Sequence, residues 1–374
     1  MIESIDLRNF KCFESQELST KNLTLLAGLN GMGKSSVLQA LLLLRQSYLD
    51  GFLPETGLEL NGSLVQMGTA QDVLYEGAQD DNFEIGINWR DGFTANFILQ
   101  YDREADILNI ASNPVPRVTF DKVPFTDGFH YLRAERLGPR TTNAISDYQV
   151  RKHRQIGTSG EYTEHFLDVY GAEDLQHLSM RHPSSESGDL KSQVQAWLNE
   201  VSPGTEIHVE PHPEIDIVNL RYSFVTGQER SRPFRSTSVG FGITYVLPVL
   251  VAVLSSSSGS LLLIENPEAH LHPRGQVRMG ELLGRAAAAG IQVIVETHSD
   301  HVLNGIRVGV HAGVINAEDV AIHYFSRIEA EGRVHSIVES PVIDKNGRLD
   351  SWPEGFFDEW DKSLEILLAP NKDQ

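Results

Sequence analysis

GLNGMGKSS, Gly28 to Ser36, lies between an apolar segment, Leu23 to Ala27, and a helical run, Ser36 to Leu44. A glycine-rich loop joining a strand to a helix is a cradle for phosphate. Glycines at 28, 31 and 33 let backbone N–H groups close around the oxygens, and the helix N-terminus adds its positive dipole end. In the pattern G-x-x-x-x-G-K-[ST], Lys34 reaches the β- and γ-phosphates and Ser35 holds Mg²⁺. Asn30, Gly31, Gly33 and Ser36 complete the nucleotide-binding set. By average residue usage the pattern arises by chance in a chain this long roughly once in a hundred cases, so a plain glycine turn is the weaker reading. The loop alone does not say which machine the nucleotide drives.

The 374 residues are 40% hydrophobic, enough for one large core or two smaller ones. A formal charge of −20 argues against a broad, autonomous nucleic-acid surface, which would need many Lys and Arg. DNA contact, if any, is expected to be local or supplied by a partner, and the short basic run Arg151 to Arg154 reads as a solvated loop. A single cysteine, Cys12, excludes an internal disulfide framework, suits a reducing cytoplasm and, beside Phe10 and Phe13, reads as a small buried hydrophobe. The N-terminus alternates like a strand and has no signal-peptide core. The most apolar run, Ile243 to Leu254, is too short to span a membrane and reads as a buried helix.

Working outward, Phe83 to Trp89, Thr94 to Tyr101 and Ile107 to Ile110 alternate apolar and polar residues between turn formers such as Asp91-Gly92 and Asn113-Pro114, predicting antiparallel strands. From Arg151 to Val201 the pattern is helical, with His182 to Gly188 as a mobile loop, and β character returns at Glu206 to Val225. Apolar strands at Leu261 to Ile264 and Gln292 to Glu296, joined by a helix over Val277 to Ala289, describe a parallel sheet buried on both faces. Phe356, Trp360, Leu364 and Leu367 or Leu368 form one helical stripe, read as packed core, with a dimer or partner contact as the alternative. The expected divisions are 1–140 with the phosphate loop and a β subdomain, 141–235 with a helical insertion and β return, and 236–374 with the remaining motifs.

LLLIENPEAHLHP, Leu261 to Pro273, supplies the second half of the site. A buried strand ending in an acid puts a carboxylate at the carboxyl edge of a parallel sheet, beside the phosphate loop, making Glu265 the Mg²⁺-side acid. IQVIVETHSD ends another apolar strand in Thr297-His298-Ser299, bringing an imidazole toward the γ-phosphate. Ser238, Val239, Gly240, Phe241 and Gly242 precede the buried helix, where free N–H groups and a serine hydroxyl make half an anion site with no lysine of its own. Taken alone, S-V-G-F-G reads as a helix cap.

The order GLNGMGKSS, RSTSVGFG, LLIENPEAHLHP and ETHSD resembles the ABC-type ATPase heads of the SMC, RecF and OLD families, and more closely the stand-alone AAA-family ATPases of bacterial anti-phage operons, of the Septu kind. The resemblance covers both ends of the chain and leaves about Thr141 to Ser231 without a distinctive motif. It implies an α/β P-loop NTPase fold with an antiparallel β subdomain and a helical insertion. It also implies ATP and Mg²⁺ as cofactors and a homodimeric nucleotide sandwich, in which Ser238 and Gly240 of one copy meet the γ-phosphate held by the other. The family's Mg²⁺-contacting glutamine falls on Gln66 or Gln71, with Gln71 preferred. The chain departs from the pattern at Asn266, where many such heads carry a catalytic glutamate. An amide can orient water but not take its proton. Glu268 then becomes the substitute base and His298 the sensor, a combination that implies slow turnover.

His270, His272, His298 and His301 would have to converge to hold Zn²⁺, and the resemblance gives HLH to the loop facing the other protomer. Arg136 and Arg140, in AERLGPR, are equally candidates for phosphate or partner contact and for pairing with carboxylates. The function expected is a cytoplasmic, ATP-driven switch for a separate effector, a nuclease by class, in anti-phage defence. The alternatives are a DNA-repair or end-processing ATPase of RecF or SMC type and an ATP-binding scaffold with negligible hydrolysis. A self-contained OLD-type nuclease would need a carboxylate domain after His298, a transporter subunit a more compact spacing, and an SMC arm heptads.

Overall fold

The computed structural model describes residues 1–111, 115–330 and 333–369; the turn at Asn113-Pro114 lies outside the described residues. Strands β1 (Ile2–Phe10) and β2 (Phe13–Ser19) form a hairpin, and β3 (Leu23–Gly28) runs into the phosphate loop and helix α1 (Lys34–Leu49). Strands β4 (Asn82–Trp89) and β5 (Thr94–Gln100) join the hairpin in an antiparallel sheet ordered β2-β1-β4-β5. The expected strand at Ile107 to Ile110 exists as Ile107–Asn109, but it pairs with Gly57–Glu59 in a separate ladder.

After β6 (Phe129–Leu132) come the helical insertion, α2 (Thr163–Tyr170) and α3 (Leu190–Val201), and the hairpin β7 (Thr205–His212) and β8 (Ile217–Thr226). Helix α4 (Phe241–Ser255) is the apolar run read as a buried helix, and from Ile243 to Leu254 only Tyr245 is not buried. Then follow β9 (Leu261–Glu265), α5 (Pro273–Ala288), β10 (Gln292–Glu296), α6 (Asp300–His311), β11 (Val320–Ala330), β12 (Arg333–Glu339) and α7 (Glu359–Leu368). Among the described residues no helix is long and apolar enough to cross a membrane.

The site is built on a six-stranded sheet ordered β12-β11-β3-β10-β9-β6, parallel except for the β11–β12 hairpin. Its strands are apolar on both faces because both are covered. Leu23, Leu25 and Ala27 of β3 face a core shared with α4, α5 and α6, whereas Leu26 faces a second core shared with α1 and the antiparallel sheet. Register sets Glu265 opposite Glu296 and Glu296 opposite Leu26, so both carboxylates arrive at the edge where β3 enters the phosphate loop.

Two local expectations are corrected. Cys12 is only half-buried, because its sulfur faces the phosphate loop, 4.0 Å from Ser36 Oγ. The C-terminal stripe is not packed core. Phe356 is fully buried, but it precedes α7, and Phe357 at φ +54° turns the chain away. Trp360, Leu364, Leu367 and Leu368 are then 74, 41, 79 and 76% exposed.

Candidate nucleotide site

The loop geometry explains its glycines. Gly28 has φ +138°, and a Cβ there would stand 2.3 Å from the Phe325 carbonyl oxygen; Gly33, φ +106°, would drive one to 2.7 Å from Cys12 Sγ and the Phe13 ring. Asn30, Gly31, Gly33, Lys34, Ser35 and Ser36 line a cleft of about 470 Å³ together with Lys11, Asp72 and Glu296. That is the size of an ordinary small-ligand pocket.

Lys34 is 3% exposed; its Nζ donates to the carbonyls of Gly28 (2.9 Å) and Leu29 (2.8 Å) and lies 3.9 Å from Glu296. Burial lowers the ammonium's pKa, and Glu296 acts in the opposite sense. The Ser35 hydroxyl donates to both oxygens of Glu296, at 3.1 and 3.0 Å. Glu296 is not among the residues expected from the sequence, although β10 ends in an acid just as β9 does; the signal is that acid itself, directly before Thr297-His298-Ser299. Burial raises the Glu296 pKa, Lys34 opposes this, and Glu265 and Glu268 add to the rise. Negative charge gathered around Glu296, beside a serine hydroxyl, favours a hard cation there. Among the described residues no three His, Cys, Asp or Glu side chains form a metal cage by themselves. Mg²⁺ shared with nucleotide phosphates needs none.

Glu265 accepts from the Tyr131 hydroxyl (2.8 Å) and the Ala134 N–H (3.0 Å), rather than from Ser35. Burial, reinforced by Glu265, pushes the Tyr131 pKa well up, so the phenol stays a donor. Asn266 sits at φ +44°, and its Oδ1 is buried with no hydrogen-bond partner among the described residues. Glu268 accepts from the His298 N–H (2.9 Å) through Oε1, while its buried Oε2 has no such partner. Burial and then Lys34 lower the His298 pKa, which makes it a neutral imidazole at pH 7.

Arg136 is 3% exposed and is held by backbone carbonyls. Its Nη1 donates to Arg133 (3.1 Å) and Glu265 (2.8 Å), Nη2 to Asn266 (2.7 Å) and Nε to Tyr245 (3.0 Å). It therefore ties the end of β9 to the first turns of α4. Arg140 offers its carbonyl to the Ser236 hydroxyl.

The remaining sequence candidates lie elsewhere. Gln71 accepts from Arg103 Nε (3.0 Å) and does not line the cleft; its neighbour Asp72 does. Gln66 pairs with Asn61 in an isolated bridge. Ser238 and Gly240 are exposed and absent from the cleft wall. They sit at the open end of α4, whose first residue, Phe241, is 57% exposed and packs near His270 (5.8 Å between rings). His272 caps α5 with its own ring nitrogen, and His301 lies beside Asp300. The basic run is engaged locally: Arg151 with Asp147, and Arg154 with Glu173.

Comparison with known proteins bears on the family and the fold. A family described as "AAA domain, putative AbiEii toxin, Type IV TA system" matches residues 23–304, and a protein family of unknown function (DUF3696) matches 315–367. No curated protein matches the sequence. Among solved structures, an SMC head bound to the C-terminal winged-helix domain of ScpA is 14% identical with a TM-score of 0.51, the alignment covering 91% of this chain and 98% of that one. The SMC head domain from Thermotoga maritima is 11% identical with a TM-score of 0.46, over 90% and 98%. At such identities the likeness concerns the fold. The match to the AAA model spans most of the chain, from the phosphate-loop strand to helix α6, and the fold is that of an SMC-like, ABC-type ATPase head: this protein belongs to the AAA-domain ATPase family.

Proposed function

We propose that this chain is an ATP-binding, slowly hydrolysing ABC-type ATPase that works as a cytoplasmic homodimer and switches a separate effector, a nuclease by class, in anti-phage defence. The observation that carries the reading is the division of the site. The cleft holding Lys34 and Ser35 has no residue from Ser238 to Gly242 on its wall, while Ser238, Gly240 and Phe241 are exposed at a helix end whose first N–H groups have no intrahelical acceptor. A second copy related by a two-fold axis would bring each half to the other.

In the assembled site Lys34 leaves the Gly28 and Leu29 carbonyls for the phosphates, and Ser238 and the Gly240–Gly242 backbone cap them from the partner. Ser35, Glu296 and Glu265 are the residues that would hold Mg²⁺, which supplies charge neutralisation. Glu268, with one oxygen held by the His298 N–H and the other without a partner, is positioned to take a proton from water; the Asn266 amide orients it. Arg136 carries the state of the β9 end to the α4 end. The family's description, "putative AbiEii toxin, Type IV TA system", is in keeping with a chain that acts through a partner, as are the exposed apolar residues of α7. Asn266 in the family's acid position favours a second reading, an ATP-dependent scaffold with negligible hydrolysis.

Light scattering on Glu268→Gln tests the first reading. Dimer mass with Mg·ATP and monomer mass without nucleotide is expected, together with at least a tenfold fall in turnover. Monomer mass at saturating Mg·ATP, or undiminished hydrolysis, refutes it.

A further inference from the structure

The nucleotide cleft of one chain is short of positive charge. Two lysines, Lys11 and Lys34, line it against three carboxylates, Asp72, Glu76 and Glu296. Lys11 already donates to Gln39 (2.9 Å), and Lys34 stands 3.9 Å from Glu296. Phosphoryl transfer depends on charge placed against the γ-phosphate, so cations have to come from outside this cleft.

They stand on the other half of the proposed site. Arg235 directly precedes the 3-10 turn Ser236–Ser238, whose rise of about 2 Å per residue sets its Cα about 6 Å from that of Ser238, within reach of an arginine arm. Ser236 is 1% exposed and its hydroxyl donates to the carbonyl of Arg140, which joins the two segments at this point. Thr141 and Thr142, next to Arg140, line a cavity of about 310 Å³ with Arg221 and Arg235, and no acid stands on its wall. The neighbouring arginines are engaged: Arg221 with Glu210 (3.0 Å), Arg230 with Glu206 (2.7 Å), and Arg232 over the Phe234 ring (5.5 Å). Arg140 and Arg235 are exposed, and their guanidiniums meet no carboxylate or other acceptor among the described residues. Arg235 moreover lies opposite Arg221 in the ladder on β8, a like-charge pairing that costs stability until an anion answers it.

We infer that, in the two-chain site proposed above, on which this rests, Arg140 and Arg235 of one chain close on the γ-phosphate held by Lys34 and Ser35 of its twin. Guanidinium matches phosphate in shape as well as charge, and the pair adds to Ser238 the positive charge that the helix tip lacks. Water attacks the γ-phosphorus, the bond to the bridging oxygen breaks with its electron pair leaving on ADP, and the water proton goes to Glu268. The arginines move no proton; they offset the charge on the γ-oxygens as the bond breaks. Neither lines the cleft of its own chain, so they act on turnover and on the closed dimer and not on nucleotide binding by a lone chain.

Steady-state kinetics of the full chain carrying Arg140→Gln and Arg235→Gln together test the pair; both positions are exposed and unpaired, so the fold survives the change. The kcat is expected to fall about a hundredfold or more, while a fluorescent ATP analogue binds the dilute, monomeric variant as tightly as the parent. Mixed 1:1 with Lys34→Ala, the double variant should recover about a quarter of the parent rate, because each mixed dimer unites Lys34 of one chain with both arginines of the other. The same mixture made with Ser238→Arg is the reference for the two-chain site. Recovery with Ser238→Arg and none with the arginine variant overturns the role of the arginines alone; no recovery in either overturns it together with the two-chain site. An undiminished kcat, or weaker nucleotide binding by the monomeric variant, overturns it as well.

Discussion

Glu296→Gln isolates the residue that the sequence did not reveal. The amide keeps the shape and can still accept from the Ser35 hydroxyl, so the variant removes one negative charge from beside Lys34. At 3.9 Å the Lys34–Glu296 attraction is about 4 kcal/mol for an effective dielectric near 20. Desolvation of both buried groups offsets much of this, leaving roughly 1–2 kcal/mol, or about tenfold in an equilibrium constant. ATP without metal has to break that pair and bring its own charge toward the carboxylate. The variant is therefore expected to bind metal-free ATP about tenfold more tightly, and the enhancement by Mg²⁺ should fall by at least as much, since one of its holders is gone. Titration of a fluorescent ATP analogue in EDTA and in Mg²⁺ measures both. If the Mg²⁺ enhancement is intact, or the two affinities fall together, Glu296 does not face the triphosphate and the argument fails.

Arg136→Lys should cost about 2–3 kcal/mol of stability, because one ammonium cannot satisfy four carbonyls fixed around a planar fork, and it should depress ATP turnover more than ATP binding; urea unfolding and steady-state kinetics check the two parts, and a variant as stable and active as the parent contradicts it. Burial pushes Glu164 up to about 7 from an ordinary 4.5, so its proton is held more tightly in the folded chain. Its contribution is complete below pH 4.5 and is lost as pH rises through 7, about 3 kcal/mol in all. Thermal melts between pH 5 and 8 should show this fall, and Glu164→Gln should flatten it; an equal slope in the variant would place the titration elsewhere.

The parallel sheet and the loop are legible because β3, β9 and β10 are mostly apolar runs that end at glycine or acid, a pattern that burial on both faces imposes locally. What escaped depended on partners distant in sequence. Which acid faces Ser35 is settled by the insertion of β10 between β3 and β9, a matter of strand order. Gln71 has the right neighbourhood in sequence, yet the turn points it at Arg103 and presents Asp72 to the cleft instead. Cys12 has an apolar context, but the hairpin carries it against the phosphate loop. The α7 stripe is amphipathic, and amphipathicity states that a face prefers cover without stating what covers it.

The central claim, a nucleotide held by Lys34 of one chain and Ser238 of its twin, is tested most directly by mixing two inactive variants. Lys34→Ala and Ser238→Arg each spoil both sites of their own homodimer, but their heterodimer has one spoiled twice and one intact. With random pairing, half the dimers are mixed and each has one working site, so a 1:1 mixture should recover about a quarter of the parent ATPase rate. A mixture as inactive as its components at every ratio would contradict the account.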